Sequence, residues 1–261
     1  MGKIQRRFGL FSEIVVDDEL HWSTGSSERF NKTKNRWERV YLISGEEFLV
    51  GAMPGQMIND NYIGVFDLTG LGLPAVIAER IYYAAAVGGG TYVALNEAGG
   101  GLTLTTGAAI GNNNILSSGD LLGPRFTFNV DRNINCHLDI RLPLAADLLQ
   151  VQTFVGFYAD ANNYAGLRYN AAAAPAQLQF VTRALGVETV TNLGLMDNDW
   201  KDLWMKFSTD RCVAILDLGT PVIHTTNIPV ADLAYYIYIE TQENVAKSLD
   251  IGHLIKIQDV H

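Results

Sequence analysis

Cys136-His137-Leu138-Asp139-Ile140-Arg141-Leu142 alternates apolar and polar side chains at every step. Successive side chains of a β-strand point to opposite faces. The stretch therefore predicts a strand with Cys136, Leu138, Ile140 and Leu142 inward and His137, Asp139 and Arg141 outward. Downstream, a strand-like run at 151–158 leads into the turn Asp160-Ala161-Asn162-Asn163, and a second at 164–169 leaves it. Runs at 178–183, 188–192, 203–208, 212–216, 221–226, 235–241 and 248–259 continue the series. Upstream, Gly88-Gly89-Gly90 opens a run at 91–95, and Gly99-Gly100-Gly101 separates it from 102–105. Asn112-Asn113-Asn114 precedes Ile115-Leu116, and 125–130 completes the set. About a dozen short strands punctuated by Gly and Asn turns, with few helical signals, predict an all-β antiparallel jelly-roll sandwich over residues 86–261.

Residues 1–85 read differently, as an irregular N-terminal arm or small docking domain. Aromatics are scattered there (Trp22, Trp37, Tyr41, Phe48), and Gly and Pro punctuate 51–55. Pro74 and the Ala-rich continuation suit a short helix over 73–87, while the β-branched and aromatic content suits a strand, so both stay open. Lys3, Arg6, Arg7, Arg29, Lys32, Lys34, Arg36 and Arg39 hold a large share of the positive charge. They form either a solvated face or an arm docking on an acidic partner. On the second reading the partner-docking residues are Arg6, Arg7, Arg29, Lys32, Lys34 and Arg36.

The composition supports a large core and many turns: 48% of the 261 residues are apolar, 18% are charged and 25 are Gly. Lys and Arg total 19 against 28 Asp and Glu, a formal charge of −9 that opposes a phosphate backbone, so no nucleic-acid partner is expected. Residues 1–20 lack the apolar core of a signal peptide, and the nearest approach to a membrane span, 71–87, is interrupted by Glu79 and Arg80. No membrane partner is expected, and assembly in a reducing cytoplasm is. Cys136 and Cys212 each lie in a strand-like run; buried thiols are favoured over a disulfide, which stays open.

The stretch Val155-Gly156-Phe157-Tyr158-Ala159-Asp160-Ala161-Asn162-Asn163-Tyr164 resembles a recurring hairpin of concanavalin-A-like (laminin-G-like) jelly-roll domains. Gln179-Phe180-Val181-Thr182-Arg183 follows it, then Asp199-Trp200-Lys201-Asp202-Leu203-Trp204-Met205-Lys206-Phe207, in the order such domains use. Their short Asp-Gly hairpin is matched by Asp217-Leu218-Gly219-Thr220-Pro221-Val222, with one residue inserted between Asp and Gly. Thr225-Thr226-Asn227-Ile228-Pro229 and Lys247-Ser248-Leu249-Asp250-Ile251 also look familiar, and the likeness covers 88–259. Similar arrangements occur in tailed-bacteriophage decoration, fibre and tail proteins. The resemblance thus implies a jelly roll and a place in a virion.

Some jelly rolls of this kind are glycoside hydrolases, which need two carboxylates facing one cleft. Glu97, Glu188, Glu240 and Glu243 show no such spacing, and on its own strand Asp139 has only His137 and Arg141 as same-face neighbours. A surface polar stripe is expected there, and no catalytic residue is assigned. Glu13, Asp17 and Glu19 share one parity outside the sandwich and suit a charged edge strand. The five histidines are dispersed, no Cys-x-x-Cys or Gly-x-Ser-x-Gly occurs, and the Gly triplets read as turns, so neither metal nor cofactor is expected. Calcium is the one ion worth weighing. Asp160, Asn162 and Asn163 would supply its oxygens, against a plain hairpin turn. Trp204, Tyr236 and Tyr238 fit sheet-face packing positions, and no glycan-contacting residue is assigned.

The expected function is a non-enzymatic virion structural protein, a capsid decoration or head-fibre protein assembled in the host cytoplasm. It would dock through its N-terminal region on the major capsid protein or another virion subunit, as a homo-oligomer. The alternative is a lectin-like module for cell-surface glycans, and a glycoside hydrolase ranks third.

Overall fold

A computed structural model describes residues 5–8, 11–16, 19–21, 26–31, 36–52, 61–66, 83–95, 101–118, 128–172 and 176–259. The reading of 73–82 as helix or strand, and the candidates Lys32 and Lys34, lie outside the described residues.

The first six strands form one antiparallel meander: β1 (Gln5–Phe8), β2 (Phe11–Val16), β3 (Glu19–His21), β4 (Ser26–Asn31), β5 (Arg36–Ile43) and β6 (Glu46–Ala52). The strands that follow build two further sheets. In chain order they are β7 (Asn61–Phe66), β8 (Tyr83–Ala86), β9 (Thr91–Ala94), β10 (Leu102–Thr105), β11 (Asn113–Ser117), β12 (Ile134–Arg141) and β13 (Val151–Asp160). Then come β14 (Asn163–Asn170), β15 (Leu178–Ala184), β16 (Val187–Gly194), β17 (Lys201–Phe207), β18 (Cys212–Leu216), β19 (Val222–His224), β20 (Ala234–Thr241) and β21 (Ser248–Asp259).

One sheet runs β19-β18-β17-β12-β21-β10-β9, with β7 also paired to the far half of β21; the other runs β16-β15-β14-β13-β20-β11-β8. The pairings are antiparallel, with hairpins running β13 to β16 within one sheet and β17 to β19 within the other, and the chain crosses between the sheets at β12–β13, β16–β17, β19–β20 and β20–β21. The result is a jelly-roll-like β-sandwich.

Strand parity places the core between the sheets, as the alternation in 136–142 requires. Cys136, Leu138 and Ile140 are buried, and His137, Asp139 and Arg141 face outward. On the opposite sheet Val151, Val155 and Phe157 face in, while Gln152, Phe154 and Tyr158 face out. Phe157 is the hub. Its ring meets Phe128, Phe207 and Tyr235 edge-on at centroid distances of 5.0, 5.2 and 5.4 Å. Such edge-to-face packing aligns ring edges with neighbouring π faces. Cys136 lies across from Met205 and Cys212 across from Phe207, two positions further along β17, and the two form no disulfide. Burial pushes the Cys212 thiol up to about 12.

Of the expected strand at 125–130, residues 125–127 lie outside the described residues, and the rest is corrected: Phe128 makes a single bridge to Leu233, and Val130–Arg132 turns as a 3₁₀ helix. Two asparagines impose the turn. The Asn129 side chain accepts from the Asp131 N–H, and Asn133 takes a left-handed conformation at φ 50°, which asparagine tolerates better than most residues.

The N-terminal meander meets the sandwich through the β5–β6 hairpin. Phe48, 1% exposed, packs on Trp204, Val213 and Ile215 of the β17–β18 outer face, its ring 5.3 Å from that of Trp204. Arg211 grips Glu46 with two parallel bonds of 3.0 and 3.1 Å, and Ser44 Oγ donates to the Leu218 carbonyl at 2.8 Å.

Candidate functional site

The outer face of the β16-to-β8 sheet carries a groove of about 400 Å³, lined by Gln152, Phe154, Tyr158, Ala161, Tyr164, Arg168, Arg183, Tyr236 and Tyr238. Register explains its shape. One row of neighbours across the strands is Tyr158, Tyr164, Arg183 and Glu188, and a parallel row is Tyr238, Phe154, Arg168 and Gln179. Between them lies the row Tyr236, Gly156, Gly166 and Val181. Two glycines at its centre leave bare backbone between two walls of large side chains. That backbone cannot be filled: a Cβ at Gly156 would meet the Ala165 carbonyl oxygen at 2.4 Å, and one at Gly166 the Val155 carbonyl oxygen at 2.4 Å.

The walls are aromatic. Tyr164 stacks on Tyr158 at 5.9 Å, Tyr158 on Tyr236 at 4.9 Å, and Tyr236 on Tyr238 at 6.2 Å, with ring planes within 25° of parallel. Phe154 stands beneath this ladder, edge-on to Tyr158 and Tyr164 and tilted against Tyr236. All four phenols are held neutral at physiological pH, so each remains a hydrogen-bond donor. Burial raises the Tyr158 and Tyr164 hydroxyls, helped by Asp160 and Glu188 respectively. Burial, with Tyr158 beside it, pushes Tyr236 up to about 12, and burial with Glu240 raises Tyr238 as well.

Polar groups rim one end. Arg168 binds both oxygens of Glu188 at 3.0 and 3.2 Å and the Gln179 side-chain carbonyl at 3.0 Å. Tyr164 also donates to Glu188, and Tyr238 donates to Glu240. Arg183 reaches the Tyr164 hydroxyl at 3.4 Å.

The calcium and docking candidates named from the sequence are not among the groove's lining residues. Asp160 Oδ1 accepts from the Asn162 N–H at 2.7 Å and from Asn163 Nδ2 at 3.3 Å, closing the β13–β14 hairpin at the groove's end. Asn163 Oδ1 in turn accepts from the Leu185 N–H at 3.4 Å. Arg6 and Arg7 lie on β1, Arg29 on β4 and Arg36 on β5, all away from the groove strands.

The outer face of β12 differs from its expectation. Asp202 sits directly across from Asp139, one strand over, and its Oδ1 bonds His137 Nε2 at 2.7 Å. Asp139 therefore does have a second carboxylate beside it. His137, Asp139 and Asp202 each offer a donor atom within 4.8 Å of the others, so these three are the described residues that could hold a metal ion. The His137 ring stacks on Trp204 at 3.8 Å, and Trp204 Nε1 donates to Asp202 Oδ2 at 3.2 Å. Arg141 is drawn off to Asp250 at 2.8 Å and lies over the Trp200 ring.

No protein-family model matches the sequence, and no curated protein sequence does. Two solved structures with TM-scores above 0.5 share the fold, and a third is similar at a lower score. A protein of unknown function from Shewanella oneidensis MR-1 aligns with a TM-score of 0.54 at 14% identity, over 77% of this chain and 87% of that one. A glycosyl hydrolase family protein from Mycobacterium fortuitum aligns with a TM-score of 0.51 at 9% identity, over 68% and 92%. The carbohydrate-binding module CBM66 from Bacillus subtilis aligns with a TM-score of 0.44 at 13% identity, over 68% and 96%. These identities speak for the fold alone. The expectation that the chain is not an enzyme is corrected, because it rested on a sandwich without paired carboxylates and that premise fails. A glycosyl hydrolase family protein has this fold, and Asp202 supplies the carboxylate counted as missing.

Proposed function

We propose that this chain recognises a glycan, holding an oligosaccharide along the Tyr164-Tyr158-Tyr236-Tyr238 ladder. The observation that carries the reading is the ladder lying over the Gly156–Gly166 floor. Ligand sites are concave, mostly apolar and aromatic, with a few placed polar groups, and this groove has that make-up. The flat faces of pyranose rings match aromatic walls, and the Tyr158 and Tyr236 phenols with Gln152 and Arg183 offer donors to ring hydroxyls. The fold shared with a glycosyl hydrolase family protein is compatible with this class of ligand. The test is a glycan array followed by calorimetry on the full chain. Saturable binding of one saccharide class, lost in Tyr236→Ala, is the expected result. A chain that binds no saccharide on the array or in solution overturns the proposal.

A second reading places the chain on a virion as a decoration or fibre protein docking through its N-terminal region. It is supported by the hairpin resemblance and by the six-stranded meander that stands outside the sandwich. Deleting residues 1–60 and measuring incorporation into particles tests it; undiminished incorporation sinks it.

A further inference from the structure

We propose that the groove selects an acidic saccharide, whose ring-borne anionic group is taken by the Arg183 guanidinium. This rests on the glycan reading above and names its ligand class. The chain carries a formal charge of −9, yet its groove lining contains two arginines and no carboxylate. The two arginines are not equivalent. Arg168 is spent: Glu188 and Gln179 take its donors in a bidentate and a shared bond. Glu188, paired across from Arg183 in register, is already occupied by Arg168 and by the Tyr164 hydroxyl.

Arg183 has no ion pair among the described residues. Its one acceptor is the Tyr164 hydroxyl at 3.4 Å, and its Nε is shielded from solvent with no hydrogen-bond partner. A guanidinium is charged at every accessible pH and presents five donors in a planar fork suited to a carboxylate or a sulfate. The terminal donors of the fork are held by no carboxylate among the described residues, so a ligand anion that meets them forms a charge-assisted bond without displacing an existing ion pair. Tyr164 cannot serve as that counter-charge, because burial and Glu188 keep its phenol protonated. The guanidinium also lies beside the Tyr164 ring, 5.8 Å from its centroid, at the end of the ladder. A sugar stacked on Tyr164 and Tyr158 would bring an equatorial substituent to it. A uronate carboxylate and a sulfate ester share the required chemistry.

The experiment is calorimetry on the full chain with matched pairs of oligosaccharides. Oligogalacturonate is set against its methyl ester, and sulfated galactan against the desulfated polymer. The expected result is an acidic member bound at least about tenfold more tightly than its neutral partner. Arg183→Gln should bring that affinity down to the neutral level, and Arg183→Lys should restore part of the gap. The galacturonate and sulfate arms identify which anion is read. Equal affinity for both members of every pair overturns the acidic selection while leaving glycan recognition standing. Binding of no member overturns both. Should Arg183→Gln fail to fold, salt decides on the native chain. An acidic preference that shrinks with ionic strength supports the proposal, and one indifferent to salt overturns it.

Discussion

Gly156 and Gly166 face each other directly across β13 and β14, so close that a Cβ on either would meet a backbone carbonyl oxygen at 2.4 Å. The glycines thus do two things at once. They let the strands approach, and they strip the centre of the outer face so that the flanking tyrosines become walls.

Gly166→Ala is therefore expected to weaken the fold and fill the groove together. Overpacking of this kind costs about 1–3 kcal/mol. A fall in the urea midpoint accompanied by lost saccharide binding is the expected pair of results. An unchanged midpoint would show that the strands part at no cost.

Tyr236 occupies the middle of the ladder, stacked on Tyr158 on one side and Tyr238 on the other. Its side chain lies on the outer face, between core residues Tyr235 and Ile237. Tyr236→Ala should lower saccharide affinity by roughly tenfold or more, and thermal stability with it, because two stacked partners are lost. Tyr236→Phe, which keeps the ring, should retain most of the affinity. The comparison separates stacking from hydrogen bonding, and calorimetry reads both.

His224 predicts a pH dependence. Its Nδ1 pairs with Thr182 Oγ1 at 3.0 Å and its Nε2 with Thr191 Oγ1 at 2.9 Å, tying β19 to β15 and β16 across the sandwich edge. Burial lowers its pKa below 6.5. The unfolded chain therefore takes up the proton first, so the contribution is fully present above about pH 6.5 and is lost as pH falls toward the folded value. Unfolding free energies between pH 8 and 5 should drop more steeply for the native chain than for His224→Gln. Parallel profiles would remove His224 from the account.

Phe48 fastens the N-terminal meander to the sandwich. Phe48→Ala leaves a cavity against Trp204 and uncovers Val213 and Ile215, a loss on the order of 3–5 kcal/mol if the site does not collapse. Red-shifted tryptophan emission and faster proteolysis between the meander and the sandwich are expected, with the β13–β20 groove intact. Proteolysis at the native rate would mean that the Arg211–Glu46 pair and the Ser44 bond suffice to hold the hairpin.

Much of the sandwich was legible because its strands alternate. The runs at 136–142, 151–158 and 235–241 each expose one face and bury the other, and period two is a local property of sequence. The described end of the strand expected at 125–130 gives way at Asn129, whose cap starts a 3₁₀ turn that Asn133 closes in a left-handed conformation. The missing carboxylate was a subtler failure. Strand periodicity shows only the neighbours of Asp139 on its own strand, whereas Asp202, 63 positions later, lies beside it by strand pairing. The tyrosines of β20 were read as packing positions, because alternation tells which side chains share a face but not what lies across from them.

By itself, then, the sequence determined that this is an antiparallel β-sandwich and which side chains point into its core. Each of those facts follows from backbone period and local turn chemistry. Only the tertiary structure decided that Tyr158, Tyr164, Tyr236 and Tyr238 stack, that two glycines meet beneath them, and that Arg168 is paired while Arg183 lacks an ion pair among the described residues. Those relations depend on the register between strands distant in the chain, which is fixed when whole sheets pair and pack and is written in no single stretch.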